Sequence, residues 1–123
     1  MVFRNHIQDE VRKMKISVKV GNTYYEAFDI TELPKNIDLD VVKQAIIDQI
    51  LKPQYQKLIA STDDRILQYQ KRQALGILNE DDETDYQEAL AEYKKWTEWY
   101  KQKKQEIENA ESIEELSSIV FEP

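Results

Sequence analysis

The sequence contains no cysteine, and this absence excludes several kinds of chemistry. Disulfide bonds, thiol catalysis and zinc sites built on thiolates are all ruled out, and a reducing cytosol is compatible with the composition. The only histidine is His6, so a Ser-His-Asp or Cys-His triad has almost nothing to build on. We therefore assign His6 a surface role.

Glycine and proline are also scarce, with two and three residues in a chain of 123. Low glycine leaves little scope for loops that wrap a phosphate group, and low proline suits long helices. No stretch approaches the roughly 18 consecutive apolar residues that a membrane-spanning helix needs. The charged N-terminus lacks the apolar core of a signal peptide, so we do not expect secretion by that route.

What the sequence does have is abundant charge of both signs. Acidic residues number 24 and basic residues 17, a net charge of −7. The hydrophobic fraction of 41% is too high for a disordered tail, and the charged fraction of 33% is too high for a membrane protein. Negative net charge opposes binding to nucleic acid. These values predict a small, soluble, acidic domain, or a small core with a helical arm.

Residues 15–30 predict a β-hairpin. Gly21-Asn22 separates two alternating runs, and glycine at the first loop position suits a type II′ turn. Closing this turn gives three cross-strand pairs: Val20 with Thr23, Val18 with Tyr25, and Ile16 with Ala27. All six side chains then share one face, which must cover another element because a lone hairpin is marginal in water.

The element that this face covers is predicted to be a helix from an N-cap at Asp38 to about Lys52. Its apolar stripe consists of Val41, Val42, Ala45, Ile46, Ile50 and Leu51. Pro53 is expected to kink or restart the helix. Hairpin and helix form a predicted module over 1–53, within which residues 1–13 fit either a short amphipathic helix or a disordered leader.

Two later segments carry heptad-like seams of matching period. The first seam consists of Tyr55, Ile59, Thr62, Ile66 and Tyr69. We expect it on a continuous or kinked helix that runs to about Leu75 and stops at Gly76, and the alternative is a helix break with its own cap at 61–64. The second seam consists of Tyr86, Leu90, Tyr93, Thr97, Tyr100, Lys104 and Ile107. Thr84 or Asp82 is the expected cap of this second helix, which runs to about Ala110.

The connection between these helices, 77–83, is short, with Ile77 and Leu78 expected to turn inward. Two such seams predict an antiparallel helical hairpin over 54–110. A capping box at Ser112 then opens a short terminal helix and apolar tail in 111–123. The predicted fold is therefore α+β and mostly α, with a two-stranded antiparallel β-hairpin packed on a helix and followed by the long helical hairpin.

The acidic run 79–85 is the first candidate for chemistry. An EF-hand loop needs glycine at its sixth position and glutamate at its twelfth, and counting from Asn79 these positions hold Thr84 and Leu90. Helix capping explains the run instead. Paired carboxylates such as Asp63-Asp64 also lie near expected helix starts. We predict no catalytic residue, no metal site and no cofactor.

The aromatic residues of the second helix are the most informative feature. They are either the internal seam of the hairpin or anchors of a protein–protein contact. Trp96 and Trp99 cannot both point at one narrow seam together with Tyr93 and Tyr100. The predicted contact residues are Tyr24, Tyr93, Trp96, Trp99, Tyr100, Ile119, Val120 and Phe121. The edges of the β-hairpin are a further candidate surface.

The order of the segments along the chain resembles that of a known class of proteins. A terse strand pair (MKISVKVGNTYYEAFDITELP), a helix (DLDVVKQAIIDQILKPQYQKL), a Tyr/Trp/Lys-rich helix and a closing IENAESIEELSSIVFEP resemble small accessory proteins encoded among the tail and baseplate genes of phages and prophages of Gram-positive bacteria. The resemblance covers 14–123. It implies a virion component or an assembly factor for tail fibres, in the virion or the host cytoplasm, and it transfers no catalytic residue.

The expected function is that of a non-enzymatic protein–protein interaction module associated with a phage tail. Its partner would be a tail or baseplate component or a fibre, with neither nucleic acid nor membrane involved. Self-association is a further expectation, because a two-stranded sheet gains by edge pairing in a homo-oligomer. The alternative is a small acidic inhibitor of a host nuclease or defence protein, in which the run 79–85 forms the contact.

Overall fold

The computed structural model describes residues 14–123, so the predictions for residues 1–13, including His6, lie outside the described residues. The described elements are β1 (Lys15–Val20), β2 (Thr23–Asp29), a 3-10 turn (Ile30–Glu32), α1 (Leu39–Ile46), a π turn (Ile47–Leu51), α2 (Lys52–Leu75), α3 (Glu80–Asn109) and α4 (Ile113–Ser117). The predicted fold class is confirmed: an α+β chain, mostly helical, with an N-terminal antiparallel β-hairpin followed by long helices.

The chain divides into two compact units. The first unit holds the described residues up to Leu51 together with Lys103–Pro123, and the second holds Lys52–Gln102. The sequence divided the chain at residues 53 and 110 instead. Residues 103–110, expected in the helical arm, therefore lie in the first unit with the β-hairpin.

The β-hairpin has the predicted turn and most of the predicted register. Gly21 has a φ of 63°, and Asn22 is not among the residues with positive φ, which matches a type II′ turn. Val20 pairs with Thr23, and Val18 pairs with Tyr25. The predicted pair of Ile16 with Ala27 is wrong, because Ile16 pairs with Phe28.

A β-bulge causes this change of register. Glu26 and Ala27 together lie opposite Ser17, and Ala27 has a φ of 53°, in the left-handed region. The N–H of Ala27 donates to Ser17 Oγ at 3.0 Å. The extra residue brings Phe28 towards Tyr25, with the ring centroids 5.1 Å apart in an edge-to-face arrangement.

Ser17 also closes part of the β1 edge. Its backbone N–H donates to Gln49 Oε1 at 2.8 Å, and its carbonyl accepts from Gln49 Nε2 at 2.8 Å. A side-chain amide thus replaces a neighbouring strand. The β1 edge, predicted from the sequence as a candidate binding surface, is therefore already occupied at this position.

The hairpin face packs on α1, as predicted. Asp38 caps the helix by accepting a hydrogen bond from the Asp40 N–H at 3.0 Å. The shared core includes Ile16, Val18, Val42, Ala45, Ile46, Ile47 and Leu51. Val41, predicted in the stripe, is 42% exposed. The buried face of α1 consists of Val42, Ala45 and Ile46, and this orientation of the helix turns Val41 towards solvent.

The π turn explains how a single helical path continues past Pro53. Proline lacks an N–H and would interrupt the α-helical ladder, and the wider π turn lies directly before it. The helix continues to Leu75 without a break at 61–64, which confirms the prediction of a continuous or kinked helix over the alternative of a break. The turn also changes the inward face, so that Ile47 is buried.

The C-terminal elements complete the first unit. Ser112 Oγ accepts from the Glu115 N–H at 3.1 Å, which confirms the capping box of α4. α4 packs against the 3-10 turn, where Leu116 and Ile30 are both buried. Lys43 Nζ donates to the carbonyl of Glu108 at 2.8 Å and ties α1 to the end of α3.

The bulge makes a testable prediction. We expect Ala27→Gly to raise the free energy of unfolding by about 0.5–1 kcal/mol, because glycine adopts the left-handed conformation without the steric cost that alanine bears. The matched control is Ala60→Gly on the exposed side of α2, which should lower it by about 0.5–1 kcal/mol. Urea denaturation measures both. Destabilisation by both variants would contradict the assigned bulge.

Candidate interaction site: the helical hairpin and its loop

Two pairs of tyrosines set the register of α2 against α3. The rings of Tyr69 and Tyr86 stack with centroids 3.9 Å apart and an interplanar angle of 11°. Tyr55 and Tyr100 face each other at 4.7 Å. The two pairs lie 14 residues apart along each helix, which is two heptads. The antiparallel helical hairpin predicted from the seams is therefore confirmed.

The seam on α2 is the predicted one, and the seam on α3 is partly different. All five predicted residues of α2 are at least half-buried, and Thr62 is fully buried. On α3, Ala89 is fully buried whereas Leu90 is 37% exposed, so the prediction of Leu90 was wrong. A methyl side chain allows the close approach that the flanking tyrosine pairs impose. Lys104, also predicted in the seam, is exposed.

We expect Ala89→Leu to lower the free energy of unfolding by about 1–3 kcal/mol, because the larger side chain overpacks a filled seam. The control is Ala91→Leu, two residues along the same helix on an exposed face, which should change it by less than about 0.5 kcal/mol. Urea denaturation of the two variants measures the difference. Equal effects would contradict the seam described above.

One flank of the seam is a charged network. Arg65 Nε donates to Asp85 Oδ1 at 2.9 Å, and its Nη1 donates to Glu92 Oε2 at 3.2 Å. The hydrogen bond to Asp85 is the main reason that the pKa of Arg65 is raised further. One turn beyond Tyr69, Arg72 pairs with Asp82. Much of the acidic run 79–85 is thus engaged within the hairpin.

Tyrosine hydroxyls add hydrogen bonds along the same seam. Tyr69 donates to Glu83 Oε2 at 2.7 Å, and this bond raises the pKa of Tyr69. A hydrogen bond with Tyr55 likewise raises the pKa of Tyr93. Tyr55 and Thr97 share a hydrogen bond of 2.7 Å. The raised pKa values keep these tyrosine hydroxyls protonated at neutral pH, so they act as hydrogen-bond donors that order the hairpin.

The raised pKa of Tyr69 predicts an alkaline loss of stability. The pKa of Tyr69 in the folded state lies above the unfolded value of about 10. Its contribution to the free energy of unfolding is therefore complete below about pH 10 and is lost as the pH rises through the folded-state pKa. We expect Tyr69→Phe and Glu83→Gln each to flatten this loss, because each removes the hydrogen bond from Tyr69 to the Glu83 carboxylate and, with it, the repulsion that follows when the tyrosine ionises. Urea denaturation above pH 10 measures it, and parallel pH profiles would contradict the assignment.

The loop between the helices begins with a fixed stop. Gly76 has a φ of 69°, and its N–H donates to the Gln73 carbonyl at 3.1 Å. The N–H of Ile77 donates to the Arg72 carbonyl at 3.0 Å. These two bonds form a Schellman motif and confirm Gly76 as the end of α2.

The loop ends with an equally fixed start. Asn79 Oδ1 accepts from the Asp82 N–H at 2.8 Å, and Asp82 Oδ2 accepts from the Asn79 N–H at 3.0 Å. Asn79 therefore caps α3, and the prediction of Thr84 or Asp82 as the cap was wrong. Because α3 begins at Glu80, only residues 76–79 connect the helices, instead of the predicted 77–83.

This short loop and the last residue of α2 expose apolar side chains. Leu75 is 73% exposed, Ile77 is 59% exposed and Leu78 is 36% exposed. The prediction that Ile77 and Leu78 turn inward was wrong, because a four-residue connection between capped helices leaves no core beneath the loop. We refer to these three residues as the apolar tip.

Three of the four predicted contact residues of α3 are half-buried, and the fourth, Tyr93, is partly exposed. Trp96 and Trp99 lie edge to face, with centroids 6.4 Å apart, and Lys95 Nζ is 4.7 Å from the centre of the Trp96 ring. The Trp99 indole N–H is buried without an acceptor among the described residues. Tyr93 is 37% exposed, and Tyr100 is half-buried in its pair with Tyr55.

The remaining predicted contact residues lie in the first unit. Tyr24 is 61% exposed on β2, and Val120 is 56% exposed beyond α4. Ile119 and Phe121 are half-buried. Four of the eight predicted residues therefore belong to each unit. The predictions from the sequence missed the apolar tip. The signal was the sequence Leu-Gly-Ile-Leu, in which the glycine stops the helix and the other three residues are apolar.

An open pocket of about 200 Å³ lies beside the charged flank of the hairpin. Arg65 and Arg72 line it, and both already bind carboxylates. Among residues 14–123, no group of histidines and carboxylates is arranged to hold a metal ion. No helix in the same part of the chain has the length and apolarity to cross a membrane.

Comparison with family models, with curated proteins and with solved structures finds no match to this chain.

Proposed function

We propose that this chain is a non-enzymatic protein–protein interaction module that serves as a structural or assembly protein of a phage or prophage tail. The observation that carries the interaction role is the apolar tip. Two of its three side chains are more than half exposed, although hydrogen bonds fix the backbone both at the end of α2 and at the start of α3.

The apolar tip has the properties of a binding anchor. Burying a leucine or isoleucine side chain fully is worth about 1.5–3 kcal/mol. The capped loop loses little freedom on binding, so less of that free energy is offset by ordering. An isolated exposed leucine needs no explanation, but three within four residues on a rigid support favour a contact surface.

The tail assignment has a separate basis, namely the order and composition of the segments over 14–123, which resemble tail and baseplate accessory proteins. The inhibitor alternative depends on free carboxylates in the run 79–85. In the structure, Asp82, Glu83 and Asp85 contact Arg72, Tyr69 and Arg65. Within residues 14–123, only Glu80 and Asp81 of the five carboxylates in this run are left free, which favours the assembly role over an inhibitor that binds through the whole run. The inhibitor stays a second hypothesis.

The experiment that tests the tail role is proteomic analysis of particles released after induction of the source strain. We expect the chain in purified tails, or bound to tail components in the unassembled fraction. In the same cells, a double variant Leu75→Ser/Ile77→Ser should lose that association, while the control Leu67→Ser, on an exposed part of α2, should keep it. Recovery with a host nuclease instead of tail components would support the inhibitor.

A further inference from the structure

We infer that the apolar tip inserts into a hydrophobic pocket of a partner protein whose rim is basic. This inference rests on the proposed interaction role and adds the site and the chemistry of the partner to it. The tip is the most exposed group of neighbouring large apolar side chains in the described chain. It lies where α2 ends and α3 begins.

The charges beside the tip are not balanced. Residues 71–83 contain two basic and four acidic side chains, a net charge of −2. Arg72 is occupied by Asp82, and Glu83 accepts from Tyr69. Glu80 and Asp81 are exposed, and within 14–123 their carboxylates have neither an ion pair nor a hydrogen bond. Two free carboxylates therefore border the apolar tip.

These carboxylates distinguish the possible occupants. A second copy meeting tip to tip would bring two segments of net charge −2 together, and the like charges would repel. An anionic lipid surface would be repelled in the same way. A protein pocket with lysine or arginine on its rim would attract both carboxylates and accept the apolar side chains. The basic-rimmed protein is therefore the occupant that the charges favour.

Site-specific photocrosslinking in the full chain tests this assignment. Benzoylphenylalanine replaces Ile77 in one variant and Leu67 in a control, and each is irradiated in lysate of the source organism. Mass spectrometry then identifies the crosslinked segment. We expect a crosslink from position 77 to an apolar segment flanked by lysine or arginine, and none to that segment from position 67.

Charge reversal provides the second measurement, with the crosslinked protein purified as the probe. We expect Glu80→Lys/Asp81→Lys to slow association about tenfold at low salt, with the difference shrinking as salt increases. Glu98→Lys/Glu114→Lys changes the net charge equally at exposed sites elsewhere and should slow association far less.

Each other outcome has a defined meaning. A crosslink from position 77 to a second copy of this chain, or to a segment without basic residues, would overturn the inference. Partner binding that survives Leu75→Ser/Ile77→Ser would overturn it too, while leaving the interaction role intact. If neither crosslinking nor the tail proteomics recovers any partner, the proposed function itself fails.

Discussion

The register between α2 and α3 is the constraint on which the second unit depends. Two tyrosine pairs, Tyr55 with Tyr100 and Tyr69 with Tyr86, are spaced by the same two heptads on each helix. Only one antiparallel alignment satisfies both pairs, because a shift of one helix along the other would break both pairs at once. The small Ala89 between them allows the helices to stay close.

This alignment determines where the charges and the loop lie. It brings Arg65 to Asp85 and Glu92 and brings Arg72 to Asp82, so the acidic run is drawn into the hairpin. It also leaves only residues 76–79 to connect the helices. The exposure of the apolar tip therefore follows from the same packing that stabilises the hairpin.

Much of the fold could be predicted because its signals are local. Gly21 at the turn, Asp38 at the start of α1 and Ser112 at the start of α4 act through hydrogen bonds or dihedral angles within a few residues. The candidate site was harder to predict. Leu90 is apolar and lies at heptad spacing, so the sequence favoured it over Ala89 as the seam residue. Ile77 is also apolar, and an apolar side chain is expected to turn towards the protein interior.

By itself the sequence determined the class of elements, their order and most of their ends, because periodicity and capping are short-range properties. Only the tertiary structure decided which of two adjacent residues enters the seam, since that depends on the distance between helices. It also decided the bulge at Ala27, which needs the hydroxyl of Ser17 across the hairpin. The exposure of Ile77 was decided in the same way, because solvent access depends on what packs beneath a loop.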